Sequence, residues 1–150
     1  MVTIVVIAHR PLASALVEAA RHVYSRDPCL ASRRMVAFDV APDADMATAV
    51  AQARDLLGEV DHGQGVLVLT DVAGATPGNV AARLAQAGRV AVVSGVNMPM
   101  LLRSLCYGES TLDELVAKAT AGGVTGVQQI APPSANAGVF AAPTAAPAKR

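Results

Sequence analysis

The stretch that most constrains this fold is Thr3-Ile4-Val5-Val6-Ile7-Ala8, an unbroken apolar and β-branched run that stops at His9-Arg10-Pro11. A run of this length bounded by a breaker reads as a strand. Its lack of polar alternation means that both faces are covered. Residues 66–70 (Val-Leu-Val-Leu-Thr) repeat the pattern and stop at Asp71, and residues 90–93 repeat it before Ser94-Gly95. Residues 35–40 (Met-Val-Ala-Phe-Asp-Val) read as one more strand. Strands of this kind belong inside a parallel sheet, where ligand chemistry collects at their carboxyl ends. His9 stands at such an end.

Helical periodicity fills the gaps between the runs. Leu12, Leu16, Ala19 and Val23 recur at helical spacing after Pro11, which can sit in a first helical turn without losing a needed donor. A second helix, capped by Asp43 or Asp45, shows Met46, Val50, Ala53 and Leu57 on one face. Val80, Ala81, Leu84 and Ala85 mark a third. Asn97 with Pro99 is a further cap-and-proline start, and Thr111 with Glu114 has the spacing of a capping box. That last helix is expected to stop at Gly122-Gly123, and residues 127–130 then read as a short edge strand. Strand–helix alternation predicts an α/β fold: an open, doubly wound, mostly parallel sheet in flavodoxin-like order, with a C-terminal edge strand. Residues 1–130 form the domain. Residues 131–150, rich in Ala and Pro, read as a disordered tail.

Composition narrows the function. The chain is 53% hydrophobic but 3% aromatic, with 12 basic and 12 acidic residues. No basic excess or aromatic ladder is there to bind nucleic acid. Cys29 and Cys106 lack metal-ligand spacing and read as buried structural thiols of a reducing cytoplasm. His22 and His62 read as solvated surface residues. No metal site and no cofactor are expected.

Three loops then share the carboxyl edge of one sheet. If the first and third strands are neighbours, His9 and Asp71 flank the switch point. A carboxylate accepting from one ring nitrogen fixes the tautomer and leaves the other nitrogen as nucleophile. Taken alone, Asp71 reads equally well as a turn or cap residue. The loop Gly74-Ala75-Thr76-Pro77-Gly78 is small and opens a helix, so its backbone N–H groups could receive an anion. Thr76 can both cap that helix and donate its hydroxyl. Other α/β sites fit less well. Neither the ATP-binding nor the dinucleotide-binding glycine motif is present. A phospho-receiver would need an acidic pair where this chain has His9-Arg10, and a flavin site would need aromatic residues on these loops.

Together, Ile7-Ala8-His9, Asp71-x-x-Gly74-Ala75-Thr76-Pro77 and Gly95-Val96-Asn97-Met98-Pro99-Met100-Leu101 resemble the IIA domain of the mannose/fructose-type phosphotransferase system. The later Leu112-Asp113-Glu114-Leu115-Val116 is also similar. The resemblance covers roughly residues 2 to 130. It implies a homodimer formed through the C-terminal edge strand, and phosphoryl transfer from the phosphohistidine of the carrier HPr onto His9, with Asp71 bonded to it. Gly74, Ala75, Thr76 and Arg10 would then meet the phosphoryl group, while Asn97, Met98 and Pro99 would face a partner. The next acceptor would be a IIB protein in a cytoplasmic sugar-uptake relay. Alternatives are a regulatory switch without transport and the phosphoryl-donor subunit of a dihydroxyacetone kinase. The family often carries Gly after the histidine, where this chain has Arg10-Pro11.

Overall fold

The computed structural model describes residues 1–31 and 33–132. Strand β1 (Thr3–His9) leads into α1 (Leu12–Val23), a short α2 (Pro28–Ala31) and β2 (Met35–Val40). Then come α3 (Met46–Val60), β3 (Val66–Thr70), α4 (Thr76–Ala82), β4 (Val90–Ser94), α5 (Met98–Cys106) and α6 (Leu112–Thr125). The four strands form one parallel sheet in the order β2-β1-β3-β4. His9 and the end of β3 are therefore neighbours at the carboxyl edge, as the flavodoxin-like order requires.

The apolar runs explain the two layers of helices. Ile4, Val6 and Ala8 pack with Leu67 and Leu69 against α1, α5 and α6. Val5, Ile7, Val66 and Val68 pack on the other face against α3 and α4. From Thr3 through Ala8, β1 is covered throughout, and each Val or Ile side chain there contributes about 1.5–3 kcal/mol on burial. At the edge, β4 is only half-buried.

Local signals set most helix ends. Asp45 is the N-cap of α3 and accepts from the Thr48 N–H at 2.9 Å. Asn97 caps α5, and Thr111 with Glu114 closes a capping box on α6. Three expectations fail. Helix α6 runs through Gly122-Gly123 to Thr125, because these glycines are packing surface rather than a stop. A Cβ on Gly122 would lie 2.7 Å from the Arg103 Cβ, one on Gly123 would lie 2.6 Å from the Met100 Cε, and one on Gly126 would run into the Pro99 ring.

Residues 127–130 form no strand in this chain; Val127 and Ile130 are 78% and 92% exposed. A strand needs a second segment to satisfy its N–H and C=O groups, and the one sheet among the described residues, β2-β1-β3-β4, does not take in residues 127–130. Cys29 and Cys106 are exposed, since α2 and the last turn of α5 hold them away from the sheet. The Cys106 Sγ lies 3.2 Å from the Tyr24 hydroxyl, and that hydrogen bond, with burial, pushes the tyrosine up to about 12. The expected tail, residues 131–150, lies outside the described residues from residue 133 onward.

The α5–α6 contact is set by space, since Gly126 has an ordinary φ of −74°. Gly126→Ala should therefore lose about 1–3 kcal/mol in chemical denaturation, the usual cost of overpacking. An unchanged midpoint would show that the two helices can separate without cost.

Candidate functional site

Strand alternation sends His9 to the face shared by Ile7 and Val5, toward α4. Asp71 follows β3 directly and turns its carboxylate back across the β1–β3 boundary. One oxygen, Oδ2, accepts twice from the same residue: from the His9 backbone N–H at 3.0 Å and from the His9 Nδ1 at 2.6 Å. The other oxygen accepts from the Val72 N–H at 2.8 Å. Asp71 is 8% exposed while the His9 side chain is 50% exposed. The buried carboxylate thus holds one edge of an imidazole whose other edge faces solvent.

A carboxylate with three incoming donors stays ionised. Burial pushes Asp71 up, but the His9 and Val72 donors outweigh it and hold the carboxyl below its usual range. An ionised carboxylate can only accept, so the Nδ1 of a neutral His9 carries the proton and Nε2 keeps its lone pair.

The loop after Asp71 is folded tightly by small residues. Gly74 has φ +84°, a conformation that glycine adopts without strain. Gly78 lies so close to the Val72 carbonyl that a Cβ there would collide with it. The Asn79 Nδ2 donates to the Gly74 carbonyl at 3.1 Å and closes the loop from the helix side. Beside it, Thr70, Ala73, Gly74, Gly78, Asn79 and Ser94 line part of a cavity of about 350 Å³.

Thr76 does not cap α4. Ala75 occupies that position with no side-chain cap, and Thr76 is the first helical residue, because the close seat of Gly78 on Val72 fixes where the helix begins. The exposed Thr76 hydroxyl is thereby left unused by the cap. Arg10 is exposed and forms no ion pair among the described residues, while its backbone N–H donates to the Val40 carbonyl at 3.0 Å.

The Asn97 loop is tied into the fold. Its Oδ1 accepts from the Met100 N–H at 2.9 Å, and its Nδ2 donates to the Gly123 carbonyl of α6 at 3.0 Å. Met98 and Pro99 are half-buried. The N–H groups of Gly95 and Val96 bond the carbonyls of Asp71 and Thr70, so this loop also braces the one that holds Asp71. His22 and His62 lie exposed and away from this edge. Among the described residues no group of three or more His, Cys, Asp or Glu could hold a metal ion.

One structural partner went unread in the sequence. Asp39, fifth residue of β2, accepts from the Ser14 N–H at 3.2 Å and from the Ser14 hydroxyl. The only trace of it was a lone carboxylate in an apolar strand.

Residues 3–120 match the EIIA-man family model, described as PTS system fructose IIA component. Over 117 residues, 73% of its length, the chain is 36% identical to the PTS system mannose-specific EIIAB component of Escherichia coli. It spans 36% of that protein, about a third of the curated relative. The mannose/sorbose-specific IIA subunit from Enterococcus faecalis superposes with a TM-score of 0.75 at 24% identity, over 89% of this chain and 97% of that one. An EIIA component from Streptococcus agalactiae gives 0.71 at 24% identity, over 86% and 97%. Below a quarter identity these two show the fold alone.

The Asp71 carboxyl is depressed in the folded chain. Its stabilising contribution is therefore present above the unfolded value, about 3.9, and is lost as pH falls through the lower folded value. Asp71→Asn should unfold more easily than the parent at neutral pH, and the gap should close as pH drops below about 4. A gap that persists at lower pH would mean that the charge of Asp71 contributes nothing.

Proposed function

The chain belongs to the EIIA-man family of phosphotransferase-system IIA components, and from that premise we propose that it takes a phosphoryl group from phospho-HPr onto the Nε2 of His9 and passes it to a IIB protein. The observation that carries this reading is the 2.6 Å contact between the His9 Nδ1 and the Asp71 Oδ2, beside a half-exposed ring. In the forward step the lone pair on Nε2 attacks phosphorus in line as the N–P bond to the HPr imidazole breaks. The departing imidazole keeps that electron pair. Positive charge develops on the His9 ring, and Asp71 stabilises it through the Nδ1–H. Reversal of the same geometry delivers the group to the next protein. Such a transfer asks for positioning and charge stabilisation, which fixed donors supply.

The surrounding residues support that chemistry. The backbone N–H groups of Gly74 and Thr76, and the Thr76 hydroxyl that the cap leaves unused, donate to the phosphoryl oxygens, while Ala75, whose N–H donates to the Val72 carbonyl at 3.3 Å, holds the loop between them. Arg10, without an ion-pair partner among the described residues, adds a cation beside them. Carrier proteins dock over His9 and the exposed rim of Val72 and Leu12, with Met98 and Pro99 at its margin. Two copies pair through residues 127–130, where the second copy supplies the partner segment and covers Val127 and Ile130, which stand exposed in one chain. Residues 1–130 act as the IIA domain and 131–150 as its tail. The relay operates in the cytoplasm. No helix among the described residues is long and apolar enough to cross a membrane.

Mixing the full chain with phospho-HPr tests the reading. The label should appear on the protein, survive base but not acid, vanish in His9→Ala, and persist in His22→Ala and His62→Ala. Full labelling of His9→Ala, or no labelling of the parent, would overturn it.

A further inference from the structure

Helix α1 begins two residues after Arg10 and lacks a cap of its own. Its N-cap position is Pro11, whose side chain has no acceptor, and its first turn carries no acidic residue. The first N–H groups of a helix have no partner inside it and need one from elsewhere. Here it comes from another strand. The Asp39 Oδ1 accepts the Ser14 N–H at 3.2 Å, and the Oδ2 accepts the Ser14 hydroxyl. One residue on, the Val40 carbonyl accepts the Arg10 N–H at 3.0 Å. The last two residues of β2 thus grip both ends of the turn that links β1 to α1.

His9 is the residue immediately before that turn. Asp39 pairs in register with Ala8, so its side chain lies on the α1 face of the sheet, while His9 lies on the α4 face with Asp71. Two carboxylates, one on β2 and one just past β3, the two strands that flank β1, therefore restrain one short segment from opposite sides. Asp71 holds the imidazole and the His9 N–H, and Asp39 holds the far end of the turn that follows, at Ser14. The carboxylate at the start of α1 also complements the partial positive charge there.

We propose that Asp39 is a positioning residue for phosphoryl transfer at His9: by capping α1 from β2 it fixes the 9–14 turn, so that Nδ1–H stays on Asp71 and Nε2 stays aimed outward. This rests on the reading of His9 as phosphoryl acceptor. A side chain that only stabilised α1 would affect melting and leave the ring unchanged.

The full chain is compared with Asp39→Ala and Asp39→Asn at a temperature where circular dichroism shows all three folded. Nitrogen NMR of the His9 ring reports the tautomer, and phospho-HPr reports the transfer rate. Asp39→Ala should move His9 from the Nδ1–H form toward a mixture and slow transfer about fivefold, the rate equivalent of a lost helix-capping contact. Asp39→Asn keeps an oxygen on the Ser14 N–H and should restore most of both. A lower melting temperature with parental tautomer and rate would overturn the proposal. If Asp39→Ala does not fold, Ser14→Ala removes only the hydroxyl contact; it should shift the tautomer in the same direction to a smaller extent, and no shift would overturn the proposal. If the parent itself takes no phosphate, the proposed function fails, while the tautomer comparison still decides whether Asp39 orients His9.

Discussion

A single carboxylate oxygen, the Asp71 Oδ2, receives both the backbone N–H and the Nδ1 of His9, and the rest of the carboxyl edge is arranged around that pair of bonds. They reach across two adjacent parallel strands, so they exist only if β1 and β3 are neighbours and β1 runs slightly past the end of β3. The register achieves this, with Ile7 opposite Thr70 and His9 and Asp71 just beyond. A histidine on a mobile loop would sample several rotamers and both tautomers. Here the buried oxygen selects one of each in the chain by itself, and the proposed transfer between two imidazoles would draw on that preorganisation.

That arrangement needs support from outside the two residues. Gly95 and Val96 bond the backbone of Asp71 and Thr70, Asn97 ties their loop to α6 through Gly123, and the glycine face of α6 lets α5 come close enough for this to occur. On the other side, β2 holds the start of α1. The two helix starts nearest His9 differ. The Asp39 carboxylate occupies that of α1, and no side chain caps that of α4. An incoming dianion would meet repulsion at the first and free donors at the second.

Much of this was legible in the sequence, for identifiable reasons. Runs as apolar as residues 3–8 and 66–69 are tolerated only where both sheet faces are covered, so their ends located His9 and Asp71. Asp45, Asn97 and the Thr111–Glu114 pair act over three residues or fewer, and local spacing revealed them. What escaped depends on contacts between distant elements. Asp39 and Ser14 are 25 residues apart, and no local pattern encodes their meeting. Thr76 looked like a cap until the seat of Gly78 on Val72 set the start of α4 one residue earlier. Gly122-Gly123 looked like a stop because glycine weakens an isolated helix, yet the approach of α5 needs those positions empty. Residues 127–130 have strand-like composition, but pairing is a property of two segments, and the described residues give them no partner strand.

The central claim is that Asp71 reserves Nδ1 and leaves Nε2 of His9 to carry the phosphoryl group. Phosphorus–nitrogen coupling in the phosphorylated protein, with the imidazole nitrogens isotopically labelled, tests it most directly. The account predicts phosphorus bonded to Nε2 of His9, with Nδ1 still protonated. Coupling to Nδ1, or to either nitrogen of His22 or His62, would contradict it.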